Sequence, residues 1–237
     1  MKKSFAHSCN ENRIKHRSGD DPVVASEKVV RRIMREEGLT VSYAKKTARY
    51  SSYKGEISDA PGNLVNRDFR AAAPNELWLT DITEFGLPDG KVHLSPILDC
   101  FDGGLPAWSI GTSPNAELAN SSLEAACGTL REGRRPVTHS DRGCHYRWPG
   151  WIAICEENHL TRSMSKKGCS PDNSAMEGFF GRLKNEFFHH REWSGVTVPE
   201  FCRMLDAYLR YYNEERPKEK LGWMSPMQYR RSLGLAA

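Results

Sequence analysis

The sequence of 237 residues has no apolar run near the roughly twenty residues that a membrane-spanning helix needs, so a helical membrane protein is not expected. Two lysines follow Met1, but no apolar core comes after them. A secretory signal is therefore not expected either, and the cytoplasm is the default compartment. Seven cysteines, at 9, 100, 127, 144, 155, 169 and 202, form no Cys-x-x-Cys pair and are odd in number. That pattern suits reduced thiols better than a disulfide framework or a zinc knuckle, and His7 and His16 have no cysteine pair to complete a zinc site. Internal repeats and low-complexity tracts are also missing. What remains is ordinary for a globular protein: 38% hydrophobic and 27% charged residues, enough chain for a sizeable core.

The net charge of +4 is small, but it is unevenly placed. Residues 1–60 carry 13 Lys/Arg against 8 Asp/Glu, while the rest carries 21 against 22. A basic arm of this kind is the electrostatic footprint of a polyanion partner, although a solvated face would look similar. "ASEKVVRRIMREEG" predicts a short amphipathic helix, capped by Ser26 and stopped by Gly38, with Val29, Val30, Ile33 and Met34 as its apolar stripe. Arg31, Arg32 and Arg35 fill the other face. The polar stretch from Tyr43 to Glu76 has no periodicity and reads as a linker.

Beyond it, "LWLTDITEF" predicts a strand over 77–85, a turn at Pro88-Asp89-Gly90, and a return strand over 91–101, a hairpin. A third strand is expected over 107–111. Then "NAELANSSLEAACGTLREG" predicts a helix, "RRPVTHSD" a fourth strand, "WPGWIAICEENH" a helix and "LTRSMS" a fifth strand, followed by helices over 175–188 and 198–212. This order implies a mixed sheet with helices on its faces.

Three acids stand out. Asp81 falls inside the first predicted strand, between apolar neighbours, where a buried carboxylate needs a partner or a metal. Asp141 ends the fourth strand, at the edge where open α/β sheets hold ligands. Glu177 lies 36 positions further on, in a helix otherwise built from aromatics, glycine and basic residues. Each has a plainer explanation: Asp81 could bond backbone or an arginine, Asp141 could cap a turn with Gly143, and Ser174-x-x-Glu177 could be a capping box.

Taken together, "TDITEF", "LSPILDCF", "HSDRGCHY", "SMSKKGCSPDNSAMEGFFGRLKNE" and "YYNEERPKEKLGWMSP" resemble the catalytic protein of insertion-sequence transposases of the IS-three type, in order from about Ser26 to the C-terminus. That family shares its core with retroviral integrases and the ribonuclease-H fold. The resemblance implies a ribonuclease-H-like mixed five-stranded sheet flanked by helices, behind a small, helical, basic N-terminal segment. It divides the chain into a basic segment and linker (1–70), a catalytic core (71–192) and a C-terminal helix and tail (193–237). It implies that Asp81, Asp141 and Glu177 are the catalytic and metal-holding triad, with magnesium as cofactor and manganese as a substitute. Cleaving and joining DNA are in-line displacements that two such ions can assist, and magnesium takes oxygen ligands.

Met176, Phe179, Phe180, Leu183 and Phe187 would dock the Glu177 helix on the sheet, leaving Glu177 at its edge. Lys184 returns to the same face two turns on and could hold a phosphate. Lys166 and Lys167, on a basic loop, and Arg182 are further candidates for DNA contact. His139 reads as a hydrogen-bonded structural histidine, Glu84 as facing away from Asp81, Asp99 as a turn or cap residue, and Trp148 and Trp151 as core packing. The implied partners are transposon-end and target DNA, further copies of the chain, and an upstream-frame helix-turn-helix protein as fusion or partner. The implied location is the bacterial cytoplasm, at the nucleoid. Three functions stay open: a strand-transferring enzyme, a DNA-binding copy without chemistry, and an enzyme that shares the metal site but hydrolyses nucleic acid without joining it.

Overall fold

The computed structural model describes residues 14–16, 23–39, 59–167 and 170–235; the start of the basic arm and the linker over 40–58 lie outside them. The chain divides into two compact units, residues 1–47 and 48–237. In the first, β1 (Ile14–His16) pairs antiparallel with β2 (Val23–Ala25), and α1 (Glu27–Glu36) follows. The two short strands have no counterpart in the sequence expectation, because three residues are too few to show alternation. The helix is as expected, with the Val29 amide donating to Ser26 Oγ at its start.

The second unit is built on one sheet. β3 (Leu77–Thr80) and β4 (Thr83–Leu87) both pair antiparallel with β5 (Gly90–Asp99). Their register is continuous across the gap, Thr80 opposite Ile97 and Thr83 opposite Leu94, so they are one strand interrupted at Asp81-Ile82. β6 (Ala107–Gly111) pairs with the other edge of β5, β7 (Val137–Ser140) runs parallel to β3, and β8 (Thr161–Met164) parallel to β7. The six segments thus make the expected five-stranded mixed sheet. The correction is local: Asp81 lies in the interruption, not inside a strand, and the Ile82 amide donates to its Oδ1 at 2.8 Å instead of entering the ladder.

Helices cover both faces. α2 (Ala116–Cys127) and α3 (Pro149–Glu157) pack one side, around Trp78, Ile97, Leu123, Tyr146 and Trp151. On the other side lie α4 (Ser174–Leu183), its π-helical continuation Lys184–Phe188, and α5 (Val198–Glu214). Met176, Phe179, Phe180, Leu183 and Phe187 are all buried there, meeting Phe201, Leu205, Leu209 and Tyr212 of α5 and Leu79, Phe85 and Leu94 of the sheet. Each such side chain contributes about 1.5–3 kcal/mol, so the position of α4 on the sheet is firmly determined. A last helix, α6 (Pro226–Ser232), was not expected from the sequence; it starts on a capping box between Ser225 and Gln228. Trp151 is buried as expected, Trp148 half-buried at the start of α3, and the five cysteines among the described residues are free thiols. None of the described helices is long and apolar enough to cross a membrane.

Candidate active site

The parallel pairing of β3 and β7 sets Leu77 opposite Val137, Trp78 opposite Thr138 and Leu79 opposite His139. Carried two residues further, the same register brings Asp81 opposite Asp141, each just past the end of its strand. Neighbouring strands are about 4.8 Å apart, so the two carboxylates belong to one site although 60 positions separate them in the chain. Both Asp81 and Asp141 use Oδ1 on local backbone: the Gly143 amide donates to Asp141 Oδ1 at 2.8 Å, as the Ile82 amide does to Asp81. The plainer readings of both are therefore half true. Among the described residues, Oδ2 of neither makes a hydrogen bond. A Cβ at position 143 would meet Asp141 Oδ1 and His145 Nε2 at 2.9 Å, so any other residue there would make those side chains shift.

Glu177 is in the first turn of α4, exposed and without a hydrogen bond or ion pair among the described residues. The capping box is not formed. Asn173 is the cap, Ser174 is already helical, and no side chain caps the helix. The strongest alternative explanation for this glutamate is thereby removed. Its charge reaches Asp81. Burial first, then the Asp141 charge, with Glu177 adding to it, push the Asp81 carboxyl up to about 8, against the opposing Ile82 amide and the Lys184 charge.

Lys184 stands between Glu84 and Asp81, whose charges support its protonated form against burial, with Nζ 5.6 Å from the centre of the Phe85 ring. Alternation is kept across the interruption, with Leu79, Phe85 and Leu87 in one core cluster and Trp78 and Ile82 at the other. Glu84, exposed and paired with Lys91 and His93, reaches the same lysine as Asp81 through its charge. Lys166 and Lys167 are exposed on the loop after β8, at the same end of the sheet as the two aspartates. Arg182 is exposed on α4, and its charge acts on Tyr212 and Glu186.

His139 is fully buried and connects three elements. Its Nδ1 meets Ser163 Oγ at 2.9 Å, and its Nε2 meets Ser165 Oγ at 3.2 Å and the Asp172 carbonyl at 3.0 Å. Burial lowers its pKa, so the ring works neutral, as a fastener between β7, β8 and the turn leading into α4. Asp172, which sequence reasoning passed over, is the other fastener: it accepts from Arg67 Nε, Asn63 Nδ2 and the Lys166 amide at 2.8–3.0 Å. A polar residue in a polar loop reads as solvated, and only its partners a hundred residues away show otherwise.

No three His, Cys, Asp or Glu side chains among the described residues are arranged to hold a metal ion as they stand. The donor set nevertheless fits one in kind. Three carboxylates with no cation in ion-pair contact are hard oxygen ligands, and an exposed, unpartnered glutamate is free to turn toward the aspartate pair.

Residues 71–170 and residues 177–233 match two family models, each described as integrase core domain. The fold is similar to a chain in the intasome of simian T-cell lymphotropic virus, at a TM-score of 0.55 and 20% identity over 70% of this chain and 57% of that one. In sequence, the chain is 57% identical to a probable transposase for insertion sequence element IS1353 of Shigella flexneri, over 89% of its own length and 41% of that protein's. It therefore spans less than half of that relative. Over 89% of its length it is also 41% identical to a transposase-like protein of Haemophilus influenzae, and covers 95% of it. The chain belongs to the insertion-sequence transposases of the IS-three type. The ribonuclease-H-like fold expected of that family is the fold found, and a putative-transposase relative of Escherichia coli for element IS150, 37% identical with 74% of it covered, agrees.

Proposed function

We propose that this chain is the catalytic part of a transposase that cleaves DNA at the ends of an insertion sequence and joins the freed ends to target DNA. Asp81, Asp141 and Glu177 are its acidic triad, holding magnesium or, in its place, manganese. The observation that carries the reading is the register that aligns Asp81 with Asp141, together with a Glu177 charge that reaches Asp81 and has, among the described residues, no hydrogen bond or ion pair of its own.

The chemistry that such an ion supplies when bound is polarisation of the attacking and leaving oxygens of an in-line displacement at phosphorus. The chain's own residues do the rest. Asp81 and Asp141 would hold the ion through their carboxylates, each of which already accepts one backbone amide at Oδ1. Lys184 holds a phosphate beside the acids, and Lys166 and Lys167 grip the DNA backbone at the same end of the sheet. Arg182 adds positive charge to the helix. Gly181 leaves the helix surface open, since a Cβ there would meet nothing within 4 Å. Two transposon ends have to be held at once, so a homo-oligomer is expected. An upstream-frame helix-turn-helix protein, fused or separate, is the expected source of terminal-repeat recognition, and the bacterial nucleoid is the expected place of work.

The test is Glu177→Gln, assayed on labelled transposon ends with separate target DNA and Mg²⁺. Loss of a metal ligand worth several kcal/mol in the transition state predicts a fall on the order of 10³-fold or more in cleavage and joining, with DNA binding retained. A Gln variant as active as its parent removes Glu177 from the chemistry. A parent that binds ends but neither cleaves nor joins leaves only a DNA-binding role.

A further inference from the structure

The segment from Asn63 to Arg67, ahead of β3, is tied to the turn before α4 along two routes. The direct one ends on the Asp172 carboxylate, buried in the turn Ser170–Asn173. Arg67 Nε donates to its Oδ1 at 2.8 Å, and Asn63 Nδ2 donates to its Oδ2 at 3.0 Å, beside the local Lys166 amide. The second route runs through His139. The Leu64 amide donates to Ser163 Oγ at 3.0 Å, and that hydroxyl meets His139 Nδ1 at 2.9 Å. The Asp172 carbonyl, 3.0 Å from His139 Nε2, can only accept, so Nε2 carries the ring proton and Nδ1 accepts from Ser163.

Two further observations show that this tie is more than a loop lying on the surface. Asn66 and Arg67 have φ of 48° and 67°, the left-handed region, which is unfavourable for a residue with a Cβ and persists where the surroundings over-determine it. The bend brings the Arg67 guanidinium onto Asp172. The start of α4, for its part, has no grip of its own. Its cap, Asn173, is buried, neither polar atom of that side chain has a hydrogen-bond partner, and no side chain caps the helix. The apolar stripe docks the helix on the sheet, but Glu177 stands in the first turn and off that stripe, exposed. What precedes the first turn therefore sets it, and Asp172 is one residue before the cap.

We infer that Arg67 is a positioning residue for Glu177: by gripping Asp172 together with Asn63, it holds the first turn of α4 against β7 and so sets the reach of the Glu177 carboxylate toward Asp141, two residues beyond His139 on that strand. The inference rests on the carboxylate reading above. Residues that support a metal's ligands from behind typically carry about 10–100-fold in metal affinity.

The experiment is a titration of the whole purified, folded chain with Mn²⁺, followed by electron paramagnetic resonance without DNA. Arg67→Met keeps the stem of a side chain that is more than half exposed and removes the donor. It is expected to weaken Mn²⁺ binding about 10-fold. In a Glu177→Gln background the same substitution is expected to change the affinity no further, because it acts through that carboxylate. Binding by Arg67→Met at the parent's affinity would overturn the inference. So would equal weakening in both backgrounds, since a merely structural tie does not depend on Glu177. Should Arg67→Met fail to fold, Asn63→Ala, which removes the other side-chain donor, is read by the same two criteria. Glu177→Gln alone separates this from the underlying reading. If it binds Mn²⁺ like the parent, the triad itself is wrong; if it loses affinity while Arg67→Met keeps it, only the role of Arg67 falls.

Discussion

Two pairs of aspartates end strands of the same sheet, and they are treated in opposite ways. Asp99 and Asp102, at the end of β5, are buried around a guanidinium: Arg230 Nη2 donates to Asp99 Oδ2 at 2.9 Å and Arg230 Nε to Asp102 Oδ2 at 2.6 Å. The amides of Asn75 and Phe101 donate to Asp99, that of Gly104 to Asp102, and the Lys218 ammonium caps the carbonyls of Asp102 and Gly103. Asp81 and Asp141, at the ends of β3 and β7, have one backbone amide each and, among the described residues, no ion pair. Burial raises the pKa of both; at Asp99 two amides and Arg230 oppose it and only Asp102 adds to it, whereas at Asp81 two further acids add to it against one amide and the more weakly acting Lys184. A carboxylate pair that the fold supplies with a cation is structural. One that the fold leaves without a cation in contact, at the ligand-holding end of parallel strands, is where an external cation fits.

The largest effect that breaks this contrast comes from removing the internal cation. Arg230→Met leaves Asp99 and Asp102 buried and uncompensated, and is expected to lower stability by about 3–5 kcal/mol, measured by chemical denaturation. Mn²⁺ affinity, measured on the folded protein, is expected to stay at the parent's value. A variant within about 1 kcal/mol of its parent would show that this cluster is not the structural pair described.

A smaller effect sharpens the other side of the contrast. Asp81 binds its proton up to about 8 when folded without a cation, against an ordinary value of 3.8. Between those values the folded chain holds more protons than the unfolded one, so the stability of the cation-free protein falls as pH rises through that window. Asparagine has no proton to lose. In chelator, Asp81→Asn is therefore expected to raise the Tm at pH 8, by on the order of 5 °C for a chain of this size, and to change it little below pH 4. Equal shifts at both pH values would mean that the effect is packing and not charge.

How much of this was legible in the sequence follows from the range of each interaction. The alternation over 77–85, the 3.6-residue stripe from Met176 to Phe187 and the Ser26 cap are local patterns, and they reappear as β3–β4, α4 and α1. The interruption at Asp81-Ile82 was invisible because a threonine, itself a strand former, flanks it on each side. Ser174-x-x-Glu177 satisfied a local rule that the chain does not use, because Asp172 and His139 hold the preceding turn so that Asn173 becomes the cap. Arg230 with Asp99 and Asp102 spans well over a hundred positions, and nothing in the run "MQYRRS" announces that its first arginine is the buried one.

The finest test of the contrast is Lys184, the positive charge that acts on Asp81. Lys184 is half-buried, and burial lowers its pKa, but Glu84 and Asp81 favour its charged form. A cation so placed can screen the acids or receive a DNA phosphate, and the two roles separate in salt. Lys184→Met keeps most of the apolar stem that lies over Phe85 while deleting the charge. If Lys184 meets a phosphate, the slope of log affinity for DNA against log salt should become shallower by about 0.9, with weakening spread evenly over DNA sequences. If it only screens the acids, the slope stays as it was and Asp81 titrates still higher in the cation-free protein. An unchanged slope, read by fluorescence anisotropy across a salt series, would remove Lys184 from the DNA interface and leave the acidic site without an internal phosphate clamp on α4.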